Sequence, residues 1–63
     1  MTTANALTIP ALETVYDSLA EALDQAGEDQ ARLFLVKLAL LNANALGDAA
    51  LFRDHLALAL RDL

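Results

Sequence analysis

From Ile9 onward, apolar residues return every three or four positions. Leu12, Tyr16, Leu19, Leu23 and Ala26 fall on one line, with Val15 and Ala22 beside it. Glu13, Asp17, Glu21 and Asp24 fall on the opposite face. This spacing predicts an amphipathic helix from about residue 9 to about residue 26, with one buried stripe. Thr8 stands at the N-cap position, and Pro10 lies in the first turn, where a missing N–H costs nothing. Gly27 is expected to end this helix, as a glycine just past a helix terminus does. Glu28 and Asp29 then open a second helix, where negative charge suits the positive end of the dipole. It runs to about Ala45 and is closed by Gly47. Asp48 reads as the N-cap of a third helix that runs to about Arg61. Its main apolar face is Phe52, Leu56, Ala59, Leu60 and Leu63, and Arg61 complements the dipole in the last turn. Residues 1–7 read as a flexible arm, and residues 8–63 as a single three-helix domain.

The second helix departs from the pattern of its neighbours. Leu33-Phe34-Leu35-Val36-Lys37-Leu38-Ala39-Leu40-Leu41 is apolar almost all the way round. Stepping about 100° per residue, Gln30, Lys37 and Asn44 form its one continuous polar stripe. Phe34, Leu38, Leu41 and Ala45 make a ridge on one side of that stripe. Leu33, Val36, Leu40 and Ala43 make a second ridge on the other. Ala31, Leu35, Ala39 and Leu46 lie between the ridges, interrupted by Arg32 and Asn42. A surface helix needs an apolar stripe only a little over about 100° wide, and this one is roughly twice that.

Length sharpens the point. A 63-residue chain makes one domain at most, and a core of that size rarely supplies more than roughly 3–5 kcal/mol. There is no cysteine, so disulfides and thiolate metal sites are excluded, and the single histidine, His55, cannot build a structural zinc site. Association is the remaining staple. The expected fold is therefore all-α: a three-helix antiparallel bundle with helix 2 central, its short connections forcing antiparallel neighbours, completed by homodimerisation. Phe34, Leu38 and Leu41 are assigned to the intramolecular core. Leu33, Val36, Leu40 and Ala43 are assigned to the partner interface. In the competing arrangement, helices 1 and 3 cover both ridges unaided.

Composition adds limits. Alanine and leucine dominate, which favours helix. The net charge is −5, from nine acids against four bases. Such a chain lacks the electrostatic footprint of a nucleic-acid binder and is repelled by anionic headgroups. The apolar run at residues 33–41 is too short to span a membrane and contains Lys37. With no basic leading segment of the secretory kind, the expected location is cytoplasmic.

Candidate chemistry is sparse. Asp17-Ser18-Leu19 matches the tripeptide around the phosphopantetheine serine of acyl carrier proteins, but there the serine opens a helix after a long loop. Ser18 falls in mid-helix, which favours a solvated serine. Glu13, Asp17 and Glu21 are carboxylates at i,i+4 spacing without the further ligands a metal site needs, so they read as a solvated acidic face suited to a basic partner. His55 lies at the rim of the third helix. Neither Asp54 nor Asp62 forms an obvious constellation with it, and there is no thiol nucleophile. Tyr16 reads as a core residue with its hydroxyl at the edge. The expectation is a protein interaction module, not an enzyme, without cofactor.

Val15-Tyr16-Asp17-Ser18-Leu19-Ala20, the Gly27 break, Phe34-Leu35-Val36-Lys37-Leu38-Ala39-Leu40-Leu41 and the closing Arg61-Asp62-Leu63 together resemble a small family of uncharacterised helical proteins, a domain of unknown function found mostly in proteobacteria. The resemblance covers about Thr8 to Leu63 and rests on apolar helix patterns. Members of that family can be encoded near flavin-dependent aromatic hydroxylases. The resemblance thus implies, as the alternative function, a non-catalytic accessory subunit of such a hydroxylase, and it assigns no catalytic residue.

The acidic face yields the first prediction. Like charges at i,i+4 cost about 0.2–0.5 kcal/mol per pair. Asp17→Lys turns its pairs with Glu13 and Glu21 into attractions. Denaturant unfolding of this variant is expected to show unchanged or slightly raised stability. A loss of several kcal/mol would place Asp17 in a buried or bound setting.

Overall fold

The computed structural model describes residues 6–61 and residue 63. The expected arm before Ala6, and Asp62, lie outside the described residues. Among the described residues the regular structure is all helical: α1 spans Ile9–Leu46 and α2 spans Ala49–Leu60, with no strand.

Local chemistry sets each boundary. At the start of α1, Thr8 acts as the N-cap. The Ala11 N–H donates to Thr8 Oγ1 at 3.2 Å, and the Leu12 N–H donates to the Thr8 carbonyl at 2.9 Å. Pro10 sits in the first turn as expected, and its carbonyl accepts from the Thr14 hydroxyl at 3.2 Å. The helices expected on either side of Gly27 form one element, α1, kinked at that residue. Gly27 has φ 76° and ψ 165°, a region essentially closed to residues with a Cβ. The helix resumes directly after it, with no intervening loop.

Gly47 ends α1 by a different geometry. Its φ is 70°, and its N–H donates to the Ala43 carbonyl at 3.0 Å, which is the left-handed C-terminal cap of a helix. Asp48 follows as the N-cap of α2. Its Oδ1 accepts from the Leu51 N–H at 2.9 Å, and its carbonyl accepts from the Phe52 N–H at 3.0 Å. Two residues thus close one helix and open the next. α2 ends at Leu60, in keeping with the expected end at about Arg61. Arg61 is its C-cap rather than part of its last turn, with the Arg61 N–H bonded to the Leu58 carbonyl at 3.2 Å.

The chain divides into two units, Met1–Arg32 and Leu33–Leu63. In the first, Leu19, Ala22, Leu23 and Ala26 are half-buried, at the i, i+3, i+4, i+7 spacing of one helix face. Leu12, Val15 and Tyr16, which the periodicity places on the same buried stripe, are exposed instead, Tyr16 at 71%. A stripe is buried only where a second layer covers it. Among its described residues this unit holds only the part of α1 up to Arg32, and the side chains of Leu12, Val15 and Tyr16 are left uncovered.

In the second unit, Phe34, Leu38, Ala39 and Ala43 of α1 and Leu51 and Phe52 of α2 are half-buried. Leu41, assigned from the sequence to the core beside Phe34 and Leu38, is 69% exposed. On α2, burial is confined to the first turn, next to the two-residue connection. Leu56, Leu60 and Leu63, farther along its expected apolar face, are exposed. Among the described residues no side chain is fully buried.

The two glycines should respond differently to substitution. A Cβ at either meets nothing within 4 Å, so the penalty is conformational and not steric. Gly27→Ala is expected to cost about 1–3 kcal/mol. Asparagine tolerates the left-handed region, so Gly47→Asn should be milder than Gly27→Asn. Asp48→Ala should cost about 1 kcal/mol through loss of the cap. Urea unfolding of the four variants measures the order, and equal losses for the two asparagine variants would contradict the assigned backbone geometries.

Candidate interaction surface

The surface is built on the part of α1 that follows Gly27. Because the helix resumes at once after the kink, residues 30–46 keep a single helical phase. That phase sorts the two ridges. Phe34 and Leu38 of the first ridge are half-buried, together with Ala31 and Ala39 beside them. Leu33, Val36 and Leu40 of the second ridge are 56%, 50% and 64% exposed. Ala43, the fourth member of that ridge, is half-buried. Lys37, on the polar stripe, and Arg32, on the other flank of the second ridge, are both exposed. The ridge is thus an aliphatic strip with a cation to either side.

The first unit carries the acidic face. Glu13, Asp17, Glu21 and Asp24 are all exposed, as four successive members of one helix side. Leu12, Glu13, Tyr16 and Asp17 line a depression of about 480 Å³, open to solvent. Its walls come from successive turns of a single helix, so it is a surface feature and not an enclosed pocket. Ile9 lies on the same helix side as Leu12 and Tyr16 and is 70% exposed. The sequence pattern took Leu12 and Tyr16 as interior, and this apolar stripe was legible only as a direction.

The remaining candidates stay apart. Ser18 lies inside α1, more than two turns from its start, and is exposed. A carrier serine at the mouth of a helix has no counterpart there. His55 is an exposed residue of α2. Among the described residues no group of three or more histidine, cysteine or acidic side chains could hold a metal ion. No described helix is long and apolar enough to cross a membrane. No protein-family model, no curated protein and no solved structure matches the chain.

Proposed function

We propose that the chain is a non-catalytic interaction module that self-associates through the second ridge of α1. The three helical stretches, 9–26, 28–46 and α2, then complete an antiparallel bundle whose core is finished by a second copy. The observation that supports this reading is the exposure of Leu33, Val36 and Leu40 on one face, in a chain with no fully buried side chain among its described residues. Contiguous apolar strips of this kind on small proteins mark interaction sites. The acidic face of α1 serves solubility or docking.

The magnitudes set a condition. Full burial of one such aliphatic side chain is worth about 1.5–3 kcal/mol. With about half of each already covered, three residues on each of two copies offer about 7 kcal/mol. Association costs about 4–15 kcal/mol in lost freedom. The ridge alone is therefore marginal, and a stable dimer needs further apolar surface to be covered with it.

Leu40→Glu tests the reading. In a symmetric pair each ridge residue is used twice about the two-fold axis, so one substitution places two carboxylates in the contact. Burying an unpaired charge costs several kcal/mol, about enough to abolish a marginal dimer. Sedimentation equilibrium should show a wild-type dimer and a monomeric, less stable variant. The wild-type melting temperature should rise with protein concentration. A wild-type chain that stays monomeric at high micromolar concentration, with a concentration-independent melt, overturns the proposal. Partner identification after purification from the native host separates self-association from the accessory role implied by the resemblance.

A further inference from the structure

Charge is segregated along the chain. Up to Ala31 there are six acids and no lysine or arginine; from Arg32 onward there are four bases and three acids. The two halves therefore carry −6 and +1, which together make the −5 of the whole. The same division separates two exposed apolar strips. Ile9, Leu12 and Tyr16 lie in the acidic half, with Glu13 and Asp17 sharing the depression walled by Leu12 and Tyr16. Leu33, Val36 and Leu40 lie in the other half, between Arg32 and Lys37.

From this we infer which surfaces meet in the dimer: the acidic N-terminal strip of one copy occupies the basic-flanked ridge of the other, and the reverse. The inference rests on the self-association proposed above and names the occupant of its surface. Three arguments select it over ridge against ridge. Ridge against ridge brings Arg32 and Lys37 of two copies together as like charges, which opposes contact. Strip against ridge brings the partner's Glu13 and Asp17, which lie along one flank of the strip, near one of these bases, a complementary arrangement. Because the ridge has a cation on each flank, an acid meets a base whichever way the incoming helix runs. Finally, strip against ridge covers six large exposed apolar side chains on each copy rather than three, which supplies the surface that the ridge alone lacks. The contact is isologous, since both copies give and receive the same pair of surfaces.

A charge exchange tests it on the full chain. One variant carries Glu13→Lys and Asp17→Lys; the other carries Arg32→Glu and Lys37→Glu. In a dimer of either variant alone, strip and ridge flanks carry like charge at both contacts. In a mixed dimer, one contact has its charges exchanged and the other is unaltered, so both are complementary. Each variant alone should dimerise at least about tenfold more weakly than wild type, since several exposed pairs are reversed at once, the unchanged stability expected of Asp17→Lys being that of the unassociated chain. An equimolar mixture should recover an affinity near that of the wild type, read by sedimentation equilibrium, with far-ultraviolet circular dichroism reporting the helix content of each sample. A wild-type dimer whose affinity is unchanged by Glu13→Lys and Asp17→Lys, or a mixture that recovers nothing, overturns the strip-on-ridge contact while leaving self-association standing. A wild-type monomer overturns both.

Discussion

A helix buries its apolar stripe only against another element, and the number of elements that a chain supplies bounds the stripes it can cover. This protein has two backbone punctuations, Gly27 and Gly47, and each adopts the positive φ that glycine permits. Between and around them lie helical runs with more apolar surface than so short a chain can turn inward. The residue of that mismatch is specific. Leu19, Leu23, Phe34, Leu38 and Phe52 reach only half-burial, while Leu12, Tyr16, Leu33, Leu40 and Leu41 remain exposed. A side chain left in water contributes little of the roughly 1.5–3 kcal/mol that its burial can give. The apolar surface still open to burial is therefore located, residue by residue, on named faces of the helices.

The two glycines solve different problems. At Gly47 the left-handed cap hands a carbonyl bond from Ala43 to the connection, and Asp48 at once supplies an acceptor for the free N–H of Leu51. Helix end and helix start are both satisfied within two residues, which fixes the connection tightly. At Gly27 the backbone leaves the helical region for a single residue, at φ 76° and ψ 165°, and returns. No cap residue follows it, and Glu28 is already helical. The break redirects the chain without lengthening it, so the apolar positions before and after Gly27 are set by separate phases. This is why the acidic side of the first stretch and the aliphatic ridge of the second have to be read as independent faces.

The sequence made these punctuations legible because capping is local. Thr8, Gly27, Gly47 and Asp48 each act through atoms within a few residues, so residue type and spacing are enough to place them. The directions of the faces were legible for the same reason: half-buried Leu19, Ala22, Leu23 and Ala26 keep the predicted helical spacing. What periodicity does not contain is the extent of cover along a face. Tyr16 and Leu23 are one helical repeat apart on the same stripe, yet Tyr16 is exposed and Leu23 half-buried. Leu38 and Leu41 belong to one ridge and differ in the same way. Cover depends on which elements lie opposite, a non-local property that a repeat of three and four cannot encode. The all-α class is thus the part that local rules determine, and the assignment of core against partner surface is the part they leave open.

Charge order along the chain bears on that open part, because electrostatic preference, unlike hydrophobic preference, distinguishes one apolar surface from another. Two aliphatic strips are interchangeable as far as burial is concerned. Under the proposed association, Arg32 and Lys37 beside one strip and Glu13 and Asp17 beside the other remove the degeneracy, favouring strip against ridge over ridge against ridge. Such exposed pairs add little energy each. Their effect is on the choice between competing contacts, where unfavourable like-charge approaches count as much as favourable ones. Under the proposed self-association, folding is coupled to concentration. In that assembly the apolar strips would supply the affinity and the segregated charges the choice of which surfaces meet.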